Sequence, residues 1–176
     1  MLLKPALAVS LYVAGRRCLV VGRGAIAEDR AARLAAAGAT VTVAEDASDS
    51  GVWTDTFAAF CCDAGAAQAV SEAAKSRGVL VWCLDRPDLS DFAMPALARR
   101  GPLQLAVSTD GAAPALARRL REQLERLLGD AGVELDALLA EMARVRGASA
   151  GDERREQLAA LAARLTVEGR IAVRDH

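Results

Sequence analysis

A short apolar run that breaks into a glycine turn, and then into an alanine-rich stretch, leaves this chain few ways to fold. Cys18, Leu19, Val20 and Val21 form the run, Gly22, Arg23 and Gly24 the turn, and residues 26–37 the stretch, closed by Gly38. Consecutive apolar residues of this kind suit a parallel strand covered on both faces. The alanines favour a helix, and a glycine suits its end. Val41, Thr42 and Val43 then read as a second strand, ending at Glu45 and Asp46. The spacing predicts one compact strand–helix–strand unit of a parallel α/β sheet.

The next segment is short. Between Ala44 and the apolar run at 58–62 lie thirteen residues, EDASDSGVWTDTF, mostly polar or small. A crossover with its own helix and strand takes a dozen residues for the connection alone, so one strand–helix unit is expected to be curtailed or lost. A helix over 64–76 and a buried strand over 79–84 follow. Residues 103–108 alternate, as in an edge strand or an antiparallel pair. From Pro114 the pattern is helical. Leu116, Leu120, Leu124 and Leu127 make one stripe, and Leu135, Leu138, Leu139, Met142 and Val145 a second. Residues 147–152 read as a linker before a third stripe of Leu158, Leu161 and Leu165.

A length of 176 residues holds one domain, or one with a helical appendage. Hydrophobic residues make up 53% but aromatics only 3%, so the core must be built from Ala, Val and Leu. The 22 basic and 23 acidic residues nearly cancel, which argues against a general nucleic-acid surface. Local arginine groups (Arg16 and Arg17; Arg99 and Arg100; Arg118, Arg119 and Arg121) still suit an anionic small molecule. Cys18, Cys61, Cys62 and Cys83 show neither zinc-ligand spacing nor a secreted disulfide framework, in keeping with a reducing cytoplasm. Lys4 and the apolar residues after it resemble a short leader, but Arg16 and Arg17 run straight into the first strand with no polar spacer. No segment is long enough to cross a membrane. His176, the single histidine, falls at the C-terminus and reads as a disordered tail.

Gly22, Gly24 and Ala27 fit G-x-G-x-x-A between a strand and a helix. The first glycine permits the tight turn, the second admits a pyrophosphate, and the small third residue lets helix and strand pack closely. Glu45 and Asp46 come about twenty residues later, where a carboxylate can hold the ribose hydroxyls of NAD and repel the 2′-phosphate of NADP. Arg23 can reach a phosphate, or it is an exposed arginine with no partner. The plainer alternative is an α/β turn that binds nothing. Asp85 follows the strand at 79–84, at the sheet end where ligands gather. It can take a proton, ligate a metal ion, or simply stabilise the turn before Arg86 and Pro87. Cys61 and Cys62 read mainly as small core residues, with metal or redox ligation as the alternative.

Several stretches resemble one family. They are LYVAGRRCLVV at 11–21, the glycine turn, SEAAKSRGVLV around Glu72 and Lys75, and LDRPDLSDFAMPALARRGPLQLAVSTDGAAPALARRLREQL from Leu84. The chain is similar, from about Pro5 to Leu128, to the precorrin-2 dehydrogenase/sirohydrochlorin ferrochelatase domain of siroheme synthases. The second half carries the specific signature: strand-Asp-x-Pro, D-F-x-x-P, G-P-L, then S-T-x-G-x-x-P-x-L-A-R-x-L-R-E. The resemblance implies a homodimer that oxidises precorrin-2 to sirohydrochlorin with NAD and, in many members, inserts ferrous iron. It implies Asp85 as the essential acid/base, and Ala25, Ile26, Asp46 and Ala47 as NAD contacts. Ser108, Thr109, Asp110 and Gly111 become the loop at the tetrapyrrole pocket. Arg86, Arg99, Arg100 and Arg118 form a pool of anchors for the substrate's carboxylates.

The resulting expectation is an α/β chain in three parts. Residues 1–100 form a Rossmann-like, NAD-binding parallel sheet with a curtailed strand–helix unit. Residues 101–128 form a small dimerisation and tetrapyrrole-pocket segment, and residues 129–176 a helical C-terminal module. Arg23 stands where the family usually has a glycine, and Cys61-Cys62-Asp63 where it reads T-D-D. These departures fall on the cofactor side, while Asp85 and its flanks keep the pattern. A second reading is therefore a relative that has lost oxidation and serves as a metal chelatase or tetrapyrrole-binding protein. A third is a non-catalytic dimeric accessory protein whose leucine stripes are the working surface.

Overall fold

The structure is a computed structural model and describes residues 6–168. The readings of Lys4 and of His176 lie outside the described residues. Four parallel strands form the main sheet: β1 (Arg17–Val21), β2 (Thr40–Ala44), β3 (Thr56–Cys61) and β4 (Leu80–Cys83), in the order β2-β1-β3-β4. Side chains alternate across a strand, and the two faces are both apolar. Leu19, Val21, Ala59, Cys61, Val81 and Cys83 pack with Ala67, Val70 and Ala74 of α2 (Ala67–Lys75). Cys18, Val20, Ala58 and Phe60 pack on the other face with Ala27 and Leu34 of α1 (Ala25–Ala36). The uninterrupted apolar run in β1 is thus explained by helices on both sides of it.

The curtailed unit is where the sequence places it. Residues 45–55 carry the chain from β2 across to β3, and their regular structure is a single 3-10 turn, Ser50–Trp53. The Asp49 carboxylate accepts from the Gly51 N–H at 2.8 Å and starts that turn. Trp53 then does the work of the absent helix on this face. It is 5% exposed within the α2-side cluster, its indole N–H donates to the Ala47 carbonyl at 3.1 Å, and the Arg77 guanidinium lies 5.3 Å from its ring. With no intervening strand, β1 has β2 on one side and β3 on the other. The chain therefore reverses direction across the sheet at β1, and in such sheets the ligand crevice opens there, beyond the strands' carboxyl ends.

The free edge of β4 is sealed by the loop that follows it. The Val81 N–H donates to Asp91 Oδ2 at 3.0 Å, the Asp91 N–H to the Val81 carbonyl at 2.7 Å, and the Cys83 N–H to Ser90 Oγ at 2.9 Å. Phe92 stands edge-on to Phe60 at 5.6 Å. The D-F pair read from the sequence as a family motif is, locally, an edge clamp and a core contact.

The described chain divides into two compact units, one running to Pro95 and including Ser108–Ala117, the other made of Ala96–Val107 and the chain from Arg118. The second unit begins with a hairpin. β5 (Ala96–Arg100) pairs antiparallel with β6 (Leu103–Val107), so the antiparallel pairing expected over 103–108 holds as far as Val107, while the pattern of 96–100 gives no sign of β5. Helices α3 (Pro114–Asp130), α4 (Gly132–Ala148) and α5 (Gly151–Ala162) follow. Ala98, Leu128 and Leu135 form the unit's small core with Leu103, Leu105, Leu124 and Leu139. Arg100 forks onto both oxygens of Asp136 at 2.8 and 2.7 Å and donates to the Leu128 carbonyl. The linker expected at 147–152 is shorter in fact, since α4 reaches Ala148 and α5 starts at Gly151. Leu165 lies beyond α5. Among the described residues no helix is long and apolar enough to cross a membrane.

Candidate active site

The glycine turn is built by contacts on both sides. The Gly22 N–H donates to the Ala44 carbonyl at the end of β2, and the Cys62 N–H to the Val21 carbonyl next to it. Gly22 has φ 129°, and a Cβ there would stand 3.2 Å from the Asp63 nitrogen and 3.3 Å from the Cys62 carbonyl carbon. The turn thus abuts the end of β3, and only glycine fits. Gly24 has φ 78° and caps α1 without a side-chain hydrogen bond to the first turn. A Cβ on it would meet nothing within 4 Å. The helix therefore offers uncapped N–H groups at Ala25, Ile26 and Ala27 toward an open cradle, a fit for a pyrophosphate.

A cleft of about 580 Å³ opens here, lined by Gly22, Arg23, Gly24, Ala27, Glu28, Ala31, Val43, Ala44 and Glu45. Arg23 is not partnerless. Its guanidinium pairs with the Glu45 carboxylate, joining the glycine turn to the end of β2. Asp46 turns back on its own loop, where the Ser48 hydroxyl and amide N–H both donate to Oδ1, at 2.5 and 2.9 Å. Those two hydrogen bonds hold its carboxyl below the usual range. Ala47 packs inward and gives its carbonyl to Trp53. Of the residues named from the sequence for a cofactor, the structure brings Gly22, Arg23, Gly24 and Glu45 to one cleft. Ala25 and Ile26 start the helix beside it, and Asp46 and Ala47 follow Glu45.

Asp85 lies at the same end of the sheet. One further hydrogen bond, from the Leu84 N–H to the Cys61 carbonyl at 2.9 Å, extends the β3–β4 pairing past Cys83. The chain then turns sharply at Asp85, which is exposed and has φ 54°. Aspartate is among the few non-glycine residues that accept this left-handed conformation. The turn throws its carboxylate clear of the packed strand. Ser108, Thr109, Asp110 and Gly111 belong to the same compact unit as Asp85. Their loop holds itself in shape: Ser108 Oγ accepts the Asp110 N–H at 3.2 Å, and Thr109 Oγ1 accepts the Ala113 N–H at 3.2 Å, just ahead of α3.

The cysteines are thiols, and three of them are buried. Cys61 is fully buried and its Sγ lies 3.1 Å from the Asp63 carbonyl; burial raises its thiol pKa. Half-buried Cys62 is also raised by burial, with the nearby Arg30 cation acting in the opposite sense. Among the described residues no three His, Cys, Asp or Glu side chains converge as a metal site. Arg30 makes a contact that the sequence does not announce. Its guanidinium lies 4.6 Å from the Trp82 ring, and its Nε is buried without a hydrogen-bond partner. Nothing in the spacing of Arg30 and Trp82 signals that contact.

Sheet order, glycine turn and the acidic end of β2 together define a Rossmann-like dinucleotide-binding fold. Two family models match the chain, an NAD(P)-binding family over residues 9–52 and the sirohaem biosynthesis protein central family over residues 100–127. A siroheme synthase of Thiobacillus denitrificans is 37% identical over 172 residues, an alignment that covers 85% of this chain and 36% of that protein. Siroheme synthases of Escherichia coli O1:K1 / APEC and Citrobacter koseri are each 39% identical over 135 residues, covering 64% of this chain and 30% of those proteins. The chain thus spans about a third of the length of these curated relatives. The solved structure of SirC, a precorrin-2 dehydrogenase, matches with a TM-score of 0.69 at 25% identity over 89% of both chains. These matches relate the chain to the siroheme synthases and, in fold and sequence, to the precorrin-2 dehydrogenase SirC.

Proposed function

We propose that this chain oxidises precorrin-2 to sirohydrochlorin with NAD, as a homodimer in the cytoplasm. The observation that carries the reading is the open glycine cradle at the same sheet end as Asp85, in a chain related to a precorrin-2 dehydrogenase. When bound, the oxidised dinucleotide supplies the hydride acceptor. The uncapped start of α1 and the Gly24 backbone hold its pyrophosphate, and Glu45 holds the ribose hydroxyls. Ala25 and Ile26 border the phosphates, and Asp46 and Ala47 shape the adenosine end. Oxidation of the macrocycle also releases a proton, and Asp85 accepts it. An exposed carboxylate on a sharp turn is placed to do so without moving the sheet.

Ser108, Thr109 and Gly111 border the tetrapyrrole, whose carboxylates require cationic anchors. Two of the four arginines named from the sequence have partners: Arg86 forks onto Asp88 and Arg100 onto Asp136. The segment 101–128, with strand β5 before it, serves dimerisation in this reading, and the helices after 129 extend it. Asp85 is also placed to take protons released when a macrocycle takes up a metal ion. Ferrous ion is therefore a second substrate to test, with Asp85 as its candidate ligand on the protein.

The test is an anaerobic reaction of enzymatically generated precorrin-2 with NAD, following the sirohydrochlorin spectrum. Wild type is expected to convert, and Asp85→Ala to lose conversion while keeping its fold and dinucleotide affinity. No conversion by well-folded wild type contradicts the reading. Added ferrous ion in the same reaction tests chelation.

A further inference from the structure

Arg23 changes what the cofactor cleft can recognise. A carboxylate at the end of the second strand ordinarily favours NAD, because it accepts from the ribose hydroxyls and repels a 2′-phosphate. Here that carboxylate, Glu45, carries a guanidinium on it. Asp46, next in the chain, is turned toward its own loop, its Oδ1 accepting from Ser48. Among the described residues lining the cleft, Arg23 is the one cation, set against Glu28 and Glu45. Its position between the two glycines puts it on the lip facing the end of β2. A guanidinium is also the side chain that best matches a phosphate, through paired N–H donors. The pair is exposed, with 73% and 65% of the two side chains accessible, so it is weakly held and readily exchanged.

We propose that Arg23 makes this cleft accept NADP as well as NAD. Glu45 leaves Arg23 for the ribose hydroxyls of NAD, and Arg23 leaves Glu45 for the 2′-phosphate of NADP. The proposal rests on the dinucleotide reading above and adds the selectivity of that site.

The test is direct binding of NADH and NADPH, followed by the fluorescence of the bound reduced nicotinamide, with folding checked by circular dichroism. Wild type is expected to bind both, with affinities within about tenfold of each other. Arg23→Ala is expected to lower the NADPH-to-NADH affinity ratio by about tenfold or more, the value of one charge-assisted hydrogen bond. Glu45→Gln is expected to raise the same ratio. Opposite shifts from two neighbouring substitutions are not produced by a general loosening of the cleft. Wild type that binds NADH but no NADPH overturns the proposal, as does a ratio unchanged in Arg23→Ala. In both cases the dinucleotide reading stands. Folded wild type that binds neither nucleotide overturns both.

Discussion

Gly22 is the position where a single carbon atom decides most. Its backbone angle is one that L side chains rarely adopt, and an added Cβ presses on the backbone at the end of β3. Gly22→Ala is expected to cost about 1–3 kcal/mol in urea unfolding, and to weaken dinucleotide binding in the same protein. The cysteines give a second residue-level expectation. Burial pushes the Cys83 thiol from its ordinary 9.0 up to about 11. The unfolded chain loses that proton first as pH rises. Stability from the buried neutral thiol is therefore complete below about pH 9 and lost toward about pH 11. Urea midpoints should fall across that window, and Cys83→Ala should make the fall shallower. Residue roles were unevenly legible in the sequence. Gly22, Gly24, Glu45 and Asp85 announce themselves by spacing from a strand. The Arg23–Glu45 pair does not, because two side chains 22 positions apart meet only once β1 and β2 are in register.

At the scale of elements, the shortened crossover depends on Trp53. Its ring fills volume on the α2 face, and its N–H satisfies a loop carbonyl. Trp53→Ala is expected to cost about 3–5 kcal/mol, read from chemical denaturation, more than most single changes elsewhere in a core this poor in aromatics. The length of the crossover was visible in the sequence; what replaces the lost helix was not, since one tryptophan in a polar stretch has no periodicity to read. Asp91 is the other element-level support. Asp91→Ala leaves the Val81 N–H without its partner and reopens the edge of β4, at an expected cost of about 1–3 kcal/mol. The variant is also expected to self-associate more than wild type in sedimentation, because the reopened edge offers unpaired backbone groups. Strand β5 escaped sequence reading for a different reason. Its residues, ALARR, have low strand propensity, and only pairing with β6 makes them a strand.

For the molecule as a whole, the α/β class followed from a few robust signals: one apolar run, one glycine turn, and leucine stripes at helical spacing. The two-unit division did not, because the chain leaves the first unit at Ala96, returns at Ser108, and leaves it again at Arg118. Contacts distant in sequence, not composition, set that pattern. The loop from Ser108 belongs with the sheet that carries Asp85, although the two are far apart in the chain. The most direct measurement is the stoichiometry of a single anaerobic turnover, with reduced dinucleotide and sirohydrochlorin quantified in the same sample of wild-type protein. One reduced dinucleotide per sirohydrochlorin is the expected result. Sirohydrochlorin formed without reduced dinucleotide, or neither product from folded protein given precorrin-2 and NAD, contradicts a dehydrogenase built on this shortened sheet.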